Sequence, residues 1–111
     1  MKALVFEGPN KMGVKEVPMP ELQNGDLLVK VSACLLCGTD VRIYRGKKTK
    51  DVRIPSILGH EFSGVITDIG GKVEGFKIGD GVSIAPVLPC LTCYSCKHGM
   101  ENVCLNRTAF G

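Results

Sequence analysis

Four cysteines near the end of the chain constrain its fold more than any other feature. They follow the spacing C-x2-C-x2-C-x7-C, at Cys90, Cys93, Cys96 and Cys104. In a C-x2-C pair the backbone N–H groups can point at the sulfurs while both thiols converge on one ion, and a fourth cysteine completes a tetrahedral shell. Residues 86–106 have no regular apolar pattern to fold by themselves, and structural zinc supplies about 10 kcal/mol or more of folding free energy. We therefore predict a four-cysteine zinc lobe at about residues 86–106.

Two other kinds of site remain open for these cysteines. An iron–sulfur cluster also uses C-x2-C-x2-C, but its fourth cysteine usually follows at a shorter spacing and precedes proline, whereas Leu105 follows Cys104. Disulfides are typical of small secreted chains, and a reducing cytoplasm keeps thiols free. His98 could ligate in principle, but with four cysteines available we interpret it as a solvated loop residue. Zinc is the favoured ion.

The rest of the chain has the pattern of a small, mainly β domain. Its 111 residues suit a single core, and 14 glycines with 5% aromatic residues indicate many turns between short strands. Apolar residues alternate from Leu27 to Cys34, as in a strand with one buried face. A short helix is predicted from about Gly38 to Gly46 by i, i+3, i+4 spacing. The predicted strands cover residues 2–6, 13–17, 27–34, 62–69 and 81–85.

Charge and hydropathy argue against two classes of partner. The net charge is +3, and the basic residues are scattered apart from Lys47-Lys48-Thr49-Lys50, which has no interleaved aromatic residues and is typical of a solvated turn. The apolar run at residues 3–6 is far too short for a signal sequence or a membrane span. We expect a cytoplasmic protein without a nucleic-acid or membrane partner.

A second set of metal-ligand residue types lies on either side of the predicted helix. Cys37 begins the sequence Cys-Gly-Thr-Asp, and His60 lies within Gly-His-Glu before the next strand. The positive end of a helix dipole favours the thiolate form of a cysteine at its N-terminus. A thiolate and a neutral imidazole suit zinc, and two ligands leave coordination positions open, as in catalytic sites. Alone, each residue would be an ordinary buried or hydrogen-bonded side chain; together they predict an open zinc site.

These motifs in combination resemble the zinc-dependent medium-chain alcohol dehydrogenases, particularly the polyol and threonine dehydrogenase-like members. The resemblance covers the whole chain, with MKALV at residues 1–5, CGTD at 37–40, GHE at 59–61, GDGV at 79–82 and the four cysteines. It implies the N-terminal catalytic domain of that family, a GroES-like, partly open β-barrel with short helices. In that domain the four cysteines hold a structural zinc.

The resemblance also implies a role for each residue of the open site. Cys37 and His60 are similar to two ligands of the catalytic zinc, and Thr39 to the hydroxyl that takes the proton from the zinc-bound alcohol. Asp40 resembles the carboxylate that orients His60 and raises its basicity. Glu61 resembles a glutamate beside the metal that can ligate it or help to exchange a bound water. Zinc would stabilise the alkoxide, and NAD or NADP would accept the hydride.

Two residues depart from the family pattern. Arg42 stands where many relatives have a histidine that carries the proton to water, and a permanently protonated arginine cannot act as that base. Cys34 is an additional thiol three residues before Cys37. We favour a packed or idle thiol over a redox pair, because Cys37 has a better-supported role.

A dinucleotide-binding domain is not expected within this sequence. It contains no G-x-G-x-x-G between a strand and a helix, and in the family the remaining ligand of the catalytic zinc lies beyond this region. Residues 1–111 are therefore expected to be an incomplete catalytic domain, from a homodimeric or homotetrameric dehydrogenase acting on an alcohol, polyol or amino alcohol. Alone, the chain is expected to bind one structural and one catalytic zinc without turnover. The alternative is a stand-alone, zinc-stabilised binding module without catalysis.

Overall fold

The computed structural model describes residues 1–110. Their regular structure consists of short antiparallel strands and two short helices. The helices are α1 (Gly38–Tyr44) and α2 (Tyr94–Lys97), and a 3-10 turn covers Glu101–Val103. None of the helices within this part of the chain is long and apolar enough to cross a membrane. The strands are β1 (Lys2–Gly8), β2 (Lys11–Glu16), β3 (Leu27–Leu35), β4 (Ser56–Ile57), β5 (Glu61–Ile69), β6 (Gly81–Ser83), β7 (Val87–Leu88) and β8 (Thr108–Ala109).

The strands form three antiparallel sheets across the described residues, with the orders β2-β1-β4, β3-β5-β6 and β7-β8. The β1–β2 hairpin turns at Pro9 and Asn10, where Asn10 takes a positive φ of 59°. This mainly β arrangement confirms the predicted fold class. The five predicted strands and the predicted helix α1 are all present, with ends that differ by up to two residues. The short strands β4, β7 and β8 were not predicted, because two-residue bridges leave no alternation to detect.

The prediction that β3 buries one face is wrong. Only Leu27, Leu28 and Val29 are partly buried, and residues 30–35 are exposed, so that apolar Val31 keeps 52% of its surface accessible. Within residues 1–110, β3 is an edge strand hydrogen-bonded on one side, to β5. An edge strand is covered only where another element packs over it, so alternation alone did not decide its burial.

A small apolar core connects the elements that carry the metal-ligand residues. Phe6 of β1, Ile43 of α1 and Leu58 form a buried cluster, and Met12 and Val52 pack against it. β1 also pairs with β4, in the register Val5↔Ile57 and Phe6↔Ser56. The core therefore fixes α1 relative to the segment that leads into His60.

Replacing Gly64 with alanine should destabilise the domain by about 2 kcal/mol or more, as overpacking does in cores. A Cβ at Gly64 would collide with the carbonyl oxygen of Lys30 and lie 2.8 Å from Cγ1 of Val29, so the β3 backbone would have to shift. Urea denaturation would measure the loss. Gly81→Ala is the matched control in the same sheet, because no atom lies within 4 Å of its added Cβ. Equal effects of the two substitutions would contradict the prediction.

Candidate metal centres

Cys37 is positioned as the N-cap residue of α1. Its backbone is extended, with φ −94° and ψ 169°, and the N–H of Thr39 donates to its Sγ at 3.1 Å. In return, the N–H of Cys37 donates to Oδ2 of Asp40 at 2.9 Å. This reciprocal arrangement is a capping box in which a sulfur takes the place of the usual hydroxyl. The cap thus fixes the sulfur and the carboxylate at the same helix end.

His60 completes a chain of contacts with these two residues. Its Nε2 lies 3.1 Å from Cys37 Sγ, and its Nδ1 lies 3.6 Å from Oδ1 of Asp40. Asp40 is only 3% exposed, and its Oδ1 has no hydrogen-bond partner within residues 1–110. A buried carboxylate oxygen of this kind needs a donor, and a small rotation of the imidazole would supply one. The arrangement turns Nε2 of His60 toward the thiol and away from the carboxylate.

Glu61 and Thr39 lie at the edge of this site. Glu61 is the exposed first residue of β5. One of its carboxylate oxygens, Cys37 Sγ and a ring nitrogen of His60 all lie within 4.8 Å of one another. Thr39 is in the first turn of α1, where its N–H donates to Cys37 Sγ. Sulfur, nitrogen and oxygen donors with an exposed side are a set that fits zinc with open positions.

The four downstream cysteines converge as their spacing predicts. Their sulfurs all lie within 4.8 Å of one another, with Cys93 Sγ 3.5 Å from Cys96 Sγ and 3.9 Å from Cys104 Sγ. Backbone N–H groups point at sulfurs: that of Cys90 donates to Cys104 Sγ and that of Cys93 to Cys90 Sγ, both at 3.3 Å. All of these cysteines are free thiols. Four converging sulfurs with N–H donors around them fit a tetrahedral zinc ion.

The thiols of the four-cysteine lobe differ in pKa, and so in how readily each becomes a thiolate that can bind a cation. Hydrogen bonds from the hydroxyl and N–H of Thr92 lower the pKa of Cys90 to about 5, and the N–H of Cys96 lowers the pKa of Cys93. Burial raises the pKa of Cys96 to about 12. These shifts favour the thiolate at Cys90 and the protonated thiol at Cys96. A bound cation would have to displace that proton, so the affinity of this lobe for zinc should rise with pH.

The remaining candidate residues lie outside both ligand groups. The side chain of His98 contacts Tyr94. Its Nδ1 lies 2.8 Å from the Tyr94 carbonyl oxygen, and the two rings stack with centroids 4.0 Å apart. Cys34 is exposed, and its sulfur lies beside Gly59, 3.1 Å from the position of a Cβ there. Thr92 was not among the residues predicted from the sequence, although its hydroxyl lies inside a C-x2-C pair, where such a residue can be recognised.

Comparison with known proteins identifies relatives for the whole chain. Residues 23–111 match the family model described as the alcohol dehydrogenase GroES-like domain. The L-threonine 3-dehydrogenase of Pyrococcus furiosus is 41% identical over 98 residues, which are 86% of this chain and 28% of that protein. The sorbitol dehydrogenase of Bombyx mori is 36% identical over 105 residues, 93% of this chain and 30% of that protein.

Among solved structures, the alcohol dehydrogenase RspB of Escherichia coli CFT073, in complex with NADH, is 38% identical with a TM-score of 0.86. The match covers 100% of this chain and 32% of that one, so the chain spans about a third of the length of its relatives. Three observations point to the same family: the mainly β fold, the two groups of ligand residues and these matches. The chain belongs to the zinc-dependent medium-chain alcohol dehydrogenases, as their N-terminal GroES-like domain.

Proposed function

We propose that this chain is the catalytic-domain portion of a dehydrogenase that oxidises an alcohol, polyol or amino alcohol by hydride transfer to NAD or NADP. The observation that carries the proposal is the approach of Cys37 Sγ to His60 Nε2 at 3.1 Å, with Asp40 behind the imidazole. The names of the relatives support this reaction class, because they include a threonine and a sorbitol dehydrogenase, and RspB was solved with NADH.

The residues present can hold zinc and handle the proton of an alcohol. Cys37, His60 and Glu61 would hold the catalytic ion, which when bound supplies Lewis acidity to an alcohol oxygen. Asp40 accepts from the Cys37 N–H and faces Nδ1 of His60, so it keeps Nε2 free as the metal ligand. Thr39, two residues after Cys37, would accept the hydroxyl proton as it passes its own proton onward. NAD or NADP, when bound by the complete enzyme, would supply the acceptor for the hydride of the substrate carbon.

The four-cysteine lobe has a different task in this proposal. Cys90, Cys93, Cys96 and Cys104 would bind a structural zinc that leaves no position for substrate, because four protein sulfurs complete a tetrahedron. We propose a cytoplasmic location, because a reducing compartment keeps cysteine thiols available to bind zinc. We expect the complete enzyme to be a homodimer or homotetramer that acts on small molecules.

The test of the proposed function uses the longer reading frame, if the gene continues past Gly111 into a strand, a glycine-rich turn and a helix. The complete protein should reduce NAD or NADP with a secondary alcohol or polyol from a panel. His60→Ala in that protein should abolish turnover, while Cys34→Ser should retain it. Turnover that survives loss of His60 would overturn the proposed site.

Residues 1–111 alone should bind zinc without turning over any alcohol. The sequence contains no dinucleotide-binding motif, so nothing in it holds the hydride acceptor beside the metal. Elemental analysis should find two zinc ions per chain, and an absorbance assay with NAD or NADP should find no reduction. Hydride transfer by this chain would contradict the prediction. A chain that takes up one zinc only would favour the alternative of a stand-alone binding module.

A further inference from the structure

An Asn-Gly dipeptide, Asn24-Gly25, lies in the turn that leads into β3, and both residues are exposed. The other asparagines of the chain, Asn10, Asn102 and Asn106, precede lysine, valine and arginine. Asparagine is a chemically labile residue, and a glycine after it leaves the next backbone nitrogen without a side chain to shield it. The sequence of this dipeptide therefore favours deamidation more than any other position in the chain.

A second turn, formed by glycines, is hydrogen-bonded to this dipeptide. The N–H of Gly25 donates to the Gly70 carbonyl oxygen at 2.6 Å, and the N–H of Gly70 donates to the Asp26 carbonyl oxygen at 2.9 Å. Gly70 directly follows β5, so these two bonds join the start of β3 to the end of β5. The contact between residues 23–26 and residues 70–71 is called here the turn clasp.

The two turns of the turn clasp are in close contact. A Cβ added at Gly70, which is buried, would collide with the Gln23 carbonyl oxygen. A Cβ added at Gly71 would collide with Oδ1 of Asn24. The side-chain amide of Asn24 therefore lies against the backbone of Gly71, while the N–H of Gly25 is bonded to Gly70.

Deamidation of Asn24 needs both of the groups that the turn clasp engages. The Gly25 nitrogen attacks Cγ of Asn24: an N–Cγ bond forms, the Cγ–NH2 bond breaks, and ammonia leaves with the proton of the Gly25 N–H. Water then opens the resulting succinimide ring at either carbonyl and gives aspartate or isoaspartate. While the clasp is closed, the Gly25 N–H is bonded to Gly70 and the Asn24 amide contacts Gly71, so the first step is hindered.

We propose that Asn24 is a site of spontaneous modification controlled by the turn clasp, and that it converts to aspartate or isoaspartate when the clasp opens. Residues 23–26 are exposed and bury little apolar surface, so this turn can open locally while the rest of the domain stays folded. Opening frees the Gly25 nitrogen and the Asn24 amide together. The rate of conversion is therefore set by how often the clasp is open.

Modification would prevent the turn clasp from closing again. Isoaspartate adds a methylene group to the backbone between residues 24 and 25, so Gly25 no longer meets Gly70 in register. The start of β3 and the end of β5 then lack the hydrogen bonds that join them. The candidate catalytic site is at the opposite end of this strand pair, where Leu35 pairs with Glu61. The modified chain should therefore keep the zinc content of the unmodified chain.

Mass spectrometry and hydrogen exchange of the 111-residue chain test this proposal. In warm, mildly alkaline buffer, Asn24 of the folded chain should convert about tenfold or more slowly than Asn24 of a synthetic peptide of residues 20–30. The Gly25 amide should be protected from hydrogen exchange by a similar factor, because both reactions need the same opening. Conversion of Asn24 at the rate of the peptide, or two protection factors that differ by more than about tenfold, would overturn the proposal.

A pair of glycine variants separates the turn clasp from the general stability of the domain. Gly70→Ala should bring the conversion rate of Asn24 close to that of the peptide, because the added Cβ collides with the Gln23 carbonyl oxygen. Gly81→Ala, whose Cβ meets no atom within 4 Å, should keep the wild-type rate. Circular dichroism checks that each variant is folded; if Gly70→Ala is not, the two protection factors of the wild type decide. A folded Gly70→Ala variant that converts at the wild-type rate would refute control by the clasp.

Discussion

Replacing Cys93 with serine is expected to remove one zinc ion from the protein and to unfold residues 86–106. The sulfur of Cys93 lies 3.5 Å from that of Cys96 and 3.9 Å from that of Cys104, so it is part of the common sulfur cluster. A serine hydroxyl is a much weaker zinc ligand than a thiolate, and a structural zinc contributes about 10 kcal/mol or more to folding. We expect a loss of several kcal/mol and a fall in Tm of about 10 °C or more.

Elemental analysis after mild chelation and thermal unfolding would measure these two effects. Cys34→Ser is the matched control, because it is the same chemical change at an exposed cysteine outside both ligand groups. The control should keep two zinc ions and the wild-type Tm. If the Cys93 variant keeps its full zinc content, the four cysteines do not form the structural site.

The cysteine lobe was predictable because a short spacing decides its geometry. Residues three apart on a tight turn place their sulfurs near one another whatever the surrounding fold does, and Cys90, Cys93 and Cys96 have this spacing. The unequal proton affinities of the same sulfurs were not predictable. They depend on where the hydroxyl of Thr92 lies and on how deeply Cys96 is buried, which only the folded lobe determines.

The approach of Cys37 to His60 could be predicted only from a combination of residues. Cys37 and His60 are 23 positions apart, and their contact depends on Phe6, Ile43 and Leu58 packing α1 against the segment before His60. No local pattern specifies that packing, so the resemblance to a family supplied what spacing could not. The edge strand β3 is the opposite case. Its alternation of apolar and polar residues is clear in the sequence, but its burial depends on elements elsewhere in the fold.

Replacing Asp40 with alanine is expected to weaken zinc binding at the Cys37 and His60 site by about 10- to 100-fold, the usual effect of losing a carboxylate behind a metal-bound histidine. Two interactions are removed together. The N–H of Cys37 loses its acceptor at 2.9 Å, and Nδ1 of His60 loses the carboxylate that faces it. The unpaired N–H at the helix cap should also cost about 1 to 3 kcal/mol of stability.

Asp40→Asn separates these two effects, because its amide oxygen can still accept from the Cys37 N–H but its side chain carries no charge toward His60. We expect Asp40→Asn to recover most of the stability and little of the zinc affinity, measured by competition with a chromogenic chelator and by urea denaturation. Asp26→Ala is the control, since Asp26 also accepts a backbone N–H, that of Gln23 at 3.1 Å, in an exposed turn. If zinc affinity follows stability across all three variants, Asp40 acts only as a helix cap; if Asp40→Asn is stable but binds zinc weakly, the carboxylate orients His60 for the metal.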